Sequence, residues 1–149
     1  VAMRASEGAA LEAVLAAQLD QIAALTDAAA DAAQARAPQV RANLTAALHR
    51  VMEDVAEVDA ARIAQELAVL ALKSDVTEEI DRLKAHVAAA RDLLGSDKPA
   101  GRKLDFLSQE FNREANTLCA KAQAAPLTAI GLDLKAVIDQ LREQIQNVE

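Results

Sequence analysis

The sequence predicts an all-α protein: a long helical arm or hairpin followed by an antiparallel three-helix unit. Three observations carry this expectation. The hydrophobic half of the chain is mostly Ala, Leu and Val, set among Glu, Gln and Arg, which is helix-forming composition. Only 4 Gly and 3 Pro punctuate 149 residues, little material for a sheet with tight turns. Apolar residues recur at three- and four-residue steps through most of the chain, the period of helices buried along one side. The length suits one domain with a real core.

The first helix is expected from about Met3 to Ala35, with Leu11, Leu15, Leu19, Ile22, Leu25, Ala29 and Ala33 in one stripe. Pro38 lacks an amide donor and clashes with the turn before it, so a bend or break is expected there. Val40, Leu44, Leu48, Val51, Val55 and Val58 continue the stripe, making residues 1–58 an arm and residues 59–149 a helical domain. His49 has only Glu53 at ligand spacing and reads as structural. A third helix over 59–73 should turn Ile63, Leu67 and Leu70 inward. Asp75 and Glu78 are spaced as a capping box for a fourth helix over 76–94, which would bury Ile80, Leu83, Val87 and Leu94. The opposite side of that helix gathers Glu79, Arg82 and His86 within about 60° of arc. Gly95, Pro99 and Gly101 mark a loop that turns the chain back into a fifth helix over 101–123. Pro126 suits the first turn of a last helix over 126–147, burying Leu127, Ile130, Leu134, Ile138, Leu141, Ile145 and Val148.

The fifth helix differs from the rest. From Gly101 to Thr117 alanine nearly vanishes, and almost every position carries a functional group. At about 100° per residue, Leu104, Leu107, Phe111, Ala115 and Leu118 share a stripe about 80° wide that must face a core. Arg102, Asp105, Gln109, Asn112, Arg113 and Asn116 form one half of the outer face; Lys103, Glu110, Glu114, Thr117 and Lys121 form the other. Glu110 and Glu114 are like charges at i, i+4, which costs an exposed helix roughly 0.2–0.5 kcal/mol. Phe106 projects into the polar face, where solvent gives it nothing. Such a surface is expected to meet something.

Charge narrows what it meets. The net charge of −7 disfavours non-specific adhesion to polyanions. Residues 1–72 hold 5 basic and 10 acidic side chains and residues 73–149 hold 11 and 13, so a nucleic acid would dock on the second half. No run of 18 apolar residues exists, so no membrane span is expected, and the first eight residues do not read as a signal peptide. The single Cys119 excludes an internal disulfide, fits a reducing, cytoplasmic setting, and falls where a small buried hydrophobe belongs. His-x-x-x-His spacing, paired cysteines and a Gly-rich phosphate loop are all absent.

Four pieces of the chain resemble the C-terminal region of the YicC/YloC family of bacterial proteins. They are Glu66 to Lys73 with Asp75; Glu78 to Leu83 with His86; Gly101 to Thr117; and Leu134-Lys135 with Arg142 to Glu149. The third is long and specific. Weaker similarity reaches forward to Met3-Arg4, Glu7-Gly8 and Leu11, covering essentially the whole chain. The resemblance implies an endoribonuclease acting on single-stranded or structured RNA, dependent on a divalent metal (Mg or Mn), and assembled as a homo-oligomer, with no DNA partner expected. It also implies a C-terminal fragment, since family members carry a further N-terminal domain.

Under that resemblance the overloaded face acquires roles. RNA cleavage needs a base, an acid and positive charge for the phosphorane. Glu110 and Glu114 are the pair that could share a hard cation, which would offset their repulsion. Arg102, Lys103, Arg113 and Lys121 could bind phosphates, while Gln109, Asn112 and Asn116 could reach 2′-hydroxyls or base edges. Phe106 offers a stacking plane for an unpaired base. His86 and Glu79 are further acid or base candidates if the fourth helix packs beside the fifth. A competing reading remains open here: ion-pair networks of this density also form subunit interfaces, leaving a helical oligomerisation or docking module whose partner does the chemistry.

Overall fold

A computed structural model describes residues 2–54, 60–96 and 98–147; among them all regular structure is helical. The expected positions Val55, Val58, Asp59 and Val148 lie outside the described residues. Five helices follow one another: α1 (Ala2–Asp54), α2 (Ala60–Lys73), α3 (Thr77–Leu94), α4 (Gly101–Lys121) and α5 (Ala125–Ile145).

The first two expected helices are one. Pro38 sits inside α1, which runs on through it. Pro38 and Gln34, whose carbonyl loses its partner, are both exposed, so water can satisfy the freed group. The alanines before Pro38 are strong helix formers and carry the helix across. The N-terminal part of α1 is built into the bundle, burying Leu15, Leu19, Ile22 and Ala29 against α3 and α5. It thereby adds a fourth helix to the expected three. The remainder leaves the bundle towards Asp54.

Cross-helix contacts fix the directions. Arg91 of α3 pairs with Asp20 of α1 at 2.8 Å, while Arg36 reaches the start of α3 through the Ser74 carbonyl, so α1 and α3 are antiparallel. Lys121 pairs with Glu79 at 3.0 Å and Arg82 with Glu114 at 3.6 Å, which makes α3 and α4 antiparallel too. The core lies between α1, α3, α4 and α5, with Phe111, Leu118, Leu127 and Leu134 fully shielded. The α4 stripe Leu104, Leu107, Phe111, Ala115 and Leu118 is buried as its period demands. One glycine sets how closely α4 and α5 approach: a Cβ on Gly131 would lie 2.5 Å from the Cys119 sulfur.

Two local expectations change. Ile63 and Leu67 of α2 are half-buried, but Leu70 is 48% exposed and Leu72 is 72% exposed. α2 touches little except α1, so among the described residues much of its apolar side is left uncovered. The capping box does not form either. Asp75 accepts both the backbone N–H (3.0 Å) and the hydroxyl (2.6 Å) of Thr77, while Glu78 turns away to Arg82 at 2.6 Å. A guanidinium one turn along attracts the Glu78 carboxylate more strongly than a backbone N–H does.

An 18-residue window within Gly8–Glu53 reaches a mean hydropathy of 1.2, largely through alanine. The same stretch supplies the buried leucines of α1 to the core.

Candidate functional site

The seam between α3 and α4 holds polar groups where a bundle normally holds leucine. Three residues after Phe111 and one before Ala115, Glu114 falls at the edge of the buried stripe and is drawn in with it, to 3% exposure. Glu79 is likewise 3% exposed on α3. A buried carboxylate must be paired or bonded. Glu79 meets the Lys121 ammonium through one oxygen; its other oxygen is buried and accepts no hydrogen bond. Glu114 faces Arg82, whose guanidinium also holds Glu78. The Glu78 hydrogen bond, followed by the charge of Glu114, raises the Arg82 pKa above its ordinary value, and the bond from Arg82 lowers that of Glu78.

One turn further along the seam stands His86. Its ring meets the Phe111 ring edge-on, with centroids 6.0 Å apart at 90°. Its Nε2 is buried and has no hydrogen-bond partner. Ligand atoms of His86, Glu110 and Glu114 all lie within 4.8 Å of one another. One imidazole nitrogen and two carboxylates on a helical pair make a donor set that suits a divalent cation. The fit rests on that chemistry together with the orphaned Nε2 of the same ring. Half-buried Glu110 has the freedom to close the remaining distance.

The antiparallel register carries the seam on towards the N-terminus of α4. There Phe106, 60% exposed, stands at a shallow cleft of about 510 Å³ with Arg102 and Lys103 on its edge. Both cations are exposed and make no ion pair with another described residue.

The expected site residues therefore separate into groups. His86, Glu110 and Glu114 come together. Glu79 lies two turns before His86 on α3, engaged with Lys121. Lys103 and Phe106 share the seam. Gln109, Asn112 and Asn116 sit about 100–160° round α4 from Glu110 and so belong to a different flank; Gln109 bonds Asp105 at 3.2 Å. Arg102 and Arg113 point outward between the two flanks.

Two residues escaped the sequence reading. Arg82 shares an arc with Glu79 and His86, but its engagement with Glu114 depends on helix register, which spacing alone does not give. Arg36 gave no signal at all. It is 9% exposed and donates to the carbonyls of Lys121 and Ala122, each at 2.8 Å, and of Ser74, tying the ends of α4 and α2 to α1. Burial lowers its pKa, and the charge of Asp75 opposes that shift. A cavity of about 550 Å³ opens beside Arg36 between α1 and the start of α3. It lies away from the His86 triad.

A family model described as "Endoribonuclease YicC-like, C-terminal" matches residues 29–149. The chain belongs to the YicC-like family. A protein of Haemophilus influenzae named "Probable endoribonuclease YicC" is 42% identical over all 149 residues of the chain, which cover 51% of that relative. A protein of the same name from Clostridioides difficile is 39% identical over 109 residues, 73% of the chain and 37% of the relative. The chain spans about half the length, or less, of these curated relatives. The YicC-like match includes the whole α3–α4 seam.

Proposed function

We propose that this chain is the C-terminal helical part of a metal-dependent endoribonuclease, with His86, Glu110 and Glu114 holding a divalent cation such as Mg or Mn. The observation that carries the reading is the cluster itself: a ring nitrogen of His86 and the carboxylates of Glu110 and Glu114, which would otherwise repel each other, lie within 4.8 Å of one another, and the Nε2 of the same ring is buried without a partner. A cation held there would supply positive charge to the phosphoryl oxygens and lower the pKa of a bound water or hydroxyl. The chain's own groups do the rest. Arg82 holds Glu114 in place across the seam. Phe111 fixes the plane of His86. Glu79 fixes Lys121, whose ammonium stands two turns beyond Glu114, on the line an RNA backbone would follow. At the other end, Arg102 and Lys103 bind phosphates while Phe106 stacks an unpaired base. Gln109, Asn112, Arg113 and Asn116 serve as an outer RNA contact and take no part at the cation.

The test is direct. Mn²⁺ binding to the chain, followed by electron paramagnetic resonance and calorimetry, should show one site that His86→Ala or the pair Glu110→Gln with Glu114→Gln removes. Cleavage of a single-stranded RNA should disappear in the same variants while the circular dichroism stays helical. Cleavage that persists in the double variant would refute the metal reading.

A homo-oligomer is part of this proposal, on one specific observation. Val69, Leu70 and Leu72 of α2, with Val51 and Met52 of α1, are 45–72% exposed, so the arm offers an apolar side that a second copy can cover. Should the chain assemble but neither bind Mn²⁺ nor cut RNA, the docking-module reading takes its place. A cytoplasmic setting, away from membranes and DNA, suits the single free Cys119 and the acidic surface.

A further inference from the structure

The cleft at Phe106 carries chemistry beyond phosphate binding and stacking. Its floor is apolar, formed by Ala89 and Leu93 of α3 with Leu107 of α4. Phe106 forms one wall. Asp92 of α3 also lines it, exposed and in no ion pair with a described residue. Arg102 and Lys103 close the α4 side. A flat apolar slot with an aromatic wall fits a nucleobase, and two cations beside it fit the phosphates on either side of that base. The volume of about 510 Å³ is ample for one base and too small for a duplex.

Asp92 selects among the bases. A carboxylate offers two acceptor oxygens side by side and no donor. On the Watson–Crick edge only guanine presents two adjacent donors, N1–H and the N2 amino group. Adenine and cytosine each set one amino donor beside a ring-nitrogen acceptor, and uracil sets its one N–H between two carbonyls. Each of the three would place a lone pair against the carboxylate.

We propose that this cleft is a guanine-binding subsite, stacking the base on Phe106 and reading its edge with Asp92. Phe106 precedes Glu110 by one helical turn, about 6 Å along the axis. The guanine therefore belongs to a nucleotide neighbouring the scissile phosphate, so the subsite directs where a single strand is cut. The inference rests on the ribonuclease reading for its consequence in cleavage, but not for the binding itself.

The probes are 5′-GMP, 5′-AMP, 5′-CMP and 5′-UMP, titrated into the ¹⁵N-labelled chain without metal. GMP should shift the amides of Ala89, Asp92, Leu93, Arg102 and Lys103, with affinity about tenfold above AMP, the discrimination expected of one bidentate contact. Asp92→Asn should abolish the preference while all four nucleotides still bind. Phe106→Leu should weaken all four alike. Both side chains are exposed, so both variants should keep the fold. Inosine monophosphate, which lacks the N2 amino group, should fall between GMP and AMP. Equal binding of the four nucleotides, shifts outside the cleft, or a guanine preference that survives Asp92→Asn would overturn the proposal. The Glu110→Gln, Glu114→Gln double variant separates the two ideas: it should keep the GMP response after losing any cleavage. A chain that binds GMP at the cleft yet never cuts RNA sinks the ribonuclease reading and leaves the guanine subsite standing.

Discussion

Replacing Glu114 by Gln separates a cation site from a structural ion pair, because the two readings predict different thermal behaviour. Glu114 is 3% exposed and shares its helix face with Glu110 one turn away. Without metal, the substitution relieves a like-charge contact worth roughly 0.2–0.5 kcal/mol. It also removes the partner of Arg82, but that guanidinium is 46% exposed and keeps Glu78, so no buried charge is stranded. The large penalty for breaking a buried pair comes from the charge left behind, and here there is none. Metal-free stability should therefore change by less than about 1 kcal/mol. Added Mn²⁺ changes the comparison. At a hundredfold excess over Kd, binding to the folded state alone stabilises by about 2.7 kcal/mol. For a chain of this size that raises Tm by roughly 5–10 °C. Differential scanning calorimetry with and without Mn²⁺ should show that rise in the parent chain and none in Glu114→Gln, the two metal-free curves lying within about 4 °C of each other. A parent chain indifferent to Mn²⁺, or a variant stabilised as strongly as the parent, refutes the argument.

Three other perturbations test the scaffold. Gly131→Ala places a methyl 2.5 Å from the Cys119 sulfur and should cost about 1–3 kcal/mol in urea denaturation, with Cys119→Ala in the same chain restoring most of it. Arg36→Met strands the carbonyls of Ser74, Lys121 and Ala122 and should cost about 3 kcal/mol, with hydrogen exchange quickening first at the ends of α2 and α4. Asp75 has its pKa lowered first by the Thr77 hydroxyl bond and then by the Thr77 backbone bond. A lowered folded pKa gives stability that is complete above the ordinary carboxylate range and is lost as pH falls through the folded value. Thr77→Val should therefore flatten the fall of Tm between about pH 4 and pH 2, and an unchanged acid limb would remove Asp75 from the account.

The helical class, the loop at Gly95–Gly101 and the α4 stripe were legible because each rests on local chemistry: composition, Gly and Pro, and a period of about 3.6. At Pro38 the expected bend or break is not a break, because the cost of a proline depends on whether the freed carbonyl is wet, and exposure at Gln34 is a tertiary fact. Leu70 was expected to face inward and is exposed for the converse reason. Periodicity shows that a helix has an apolar side, not that the same chain covers it. Within the site, the overloaded face of α4 was visible and so was the Glu110–Glu114 pair. Its nearness to His86 was conditional on which helix packs alongside. Arg36 was invisible, since it acts across elements with nothing distinctive in its own neighbourhood.

Register explains why the functional groups lie in a line. Antiparallel α3 and α4 place Glu79 by Lys121, Arg82 by Glu114 and His86 by Glu110, and the same progression sets Ala89 and Asp92 beside Phe106 and Lys103. A helix face repeats about every 5–6 Å, so the seam becomes a track of polar stations at nearly regular intervals. An extended single strand can follow such a track; a compact metabolite would use one station only. A bundle built for stability alone would fill these positions with apolar side chains and leave neither Glu79 Oε1 nor His86 Nε2 buried without a partner. Among the described residues, two of the three buried side-chain atoms without a partner thus lie along this seam, the third being Gln18 Oε1 on α1, while the α1–α5 and α4–α5 contacts and the Arg36 clamp hold the remaining faces.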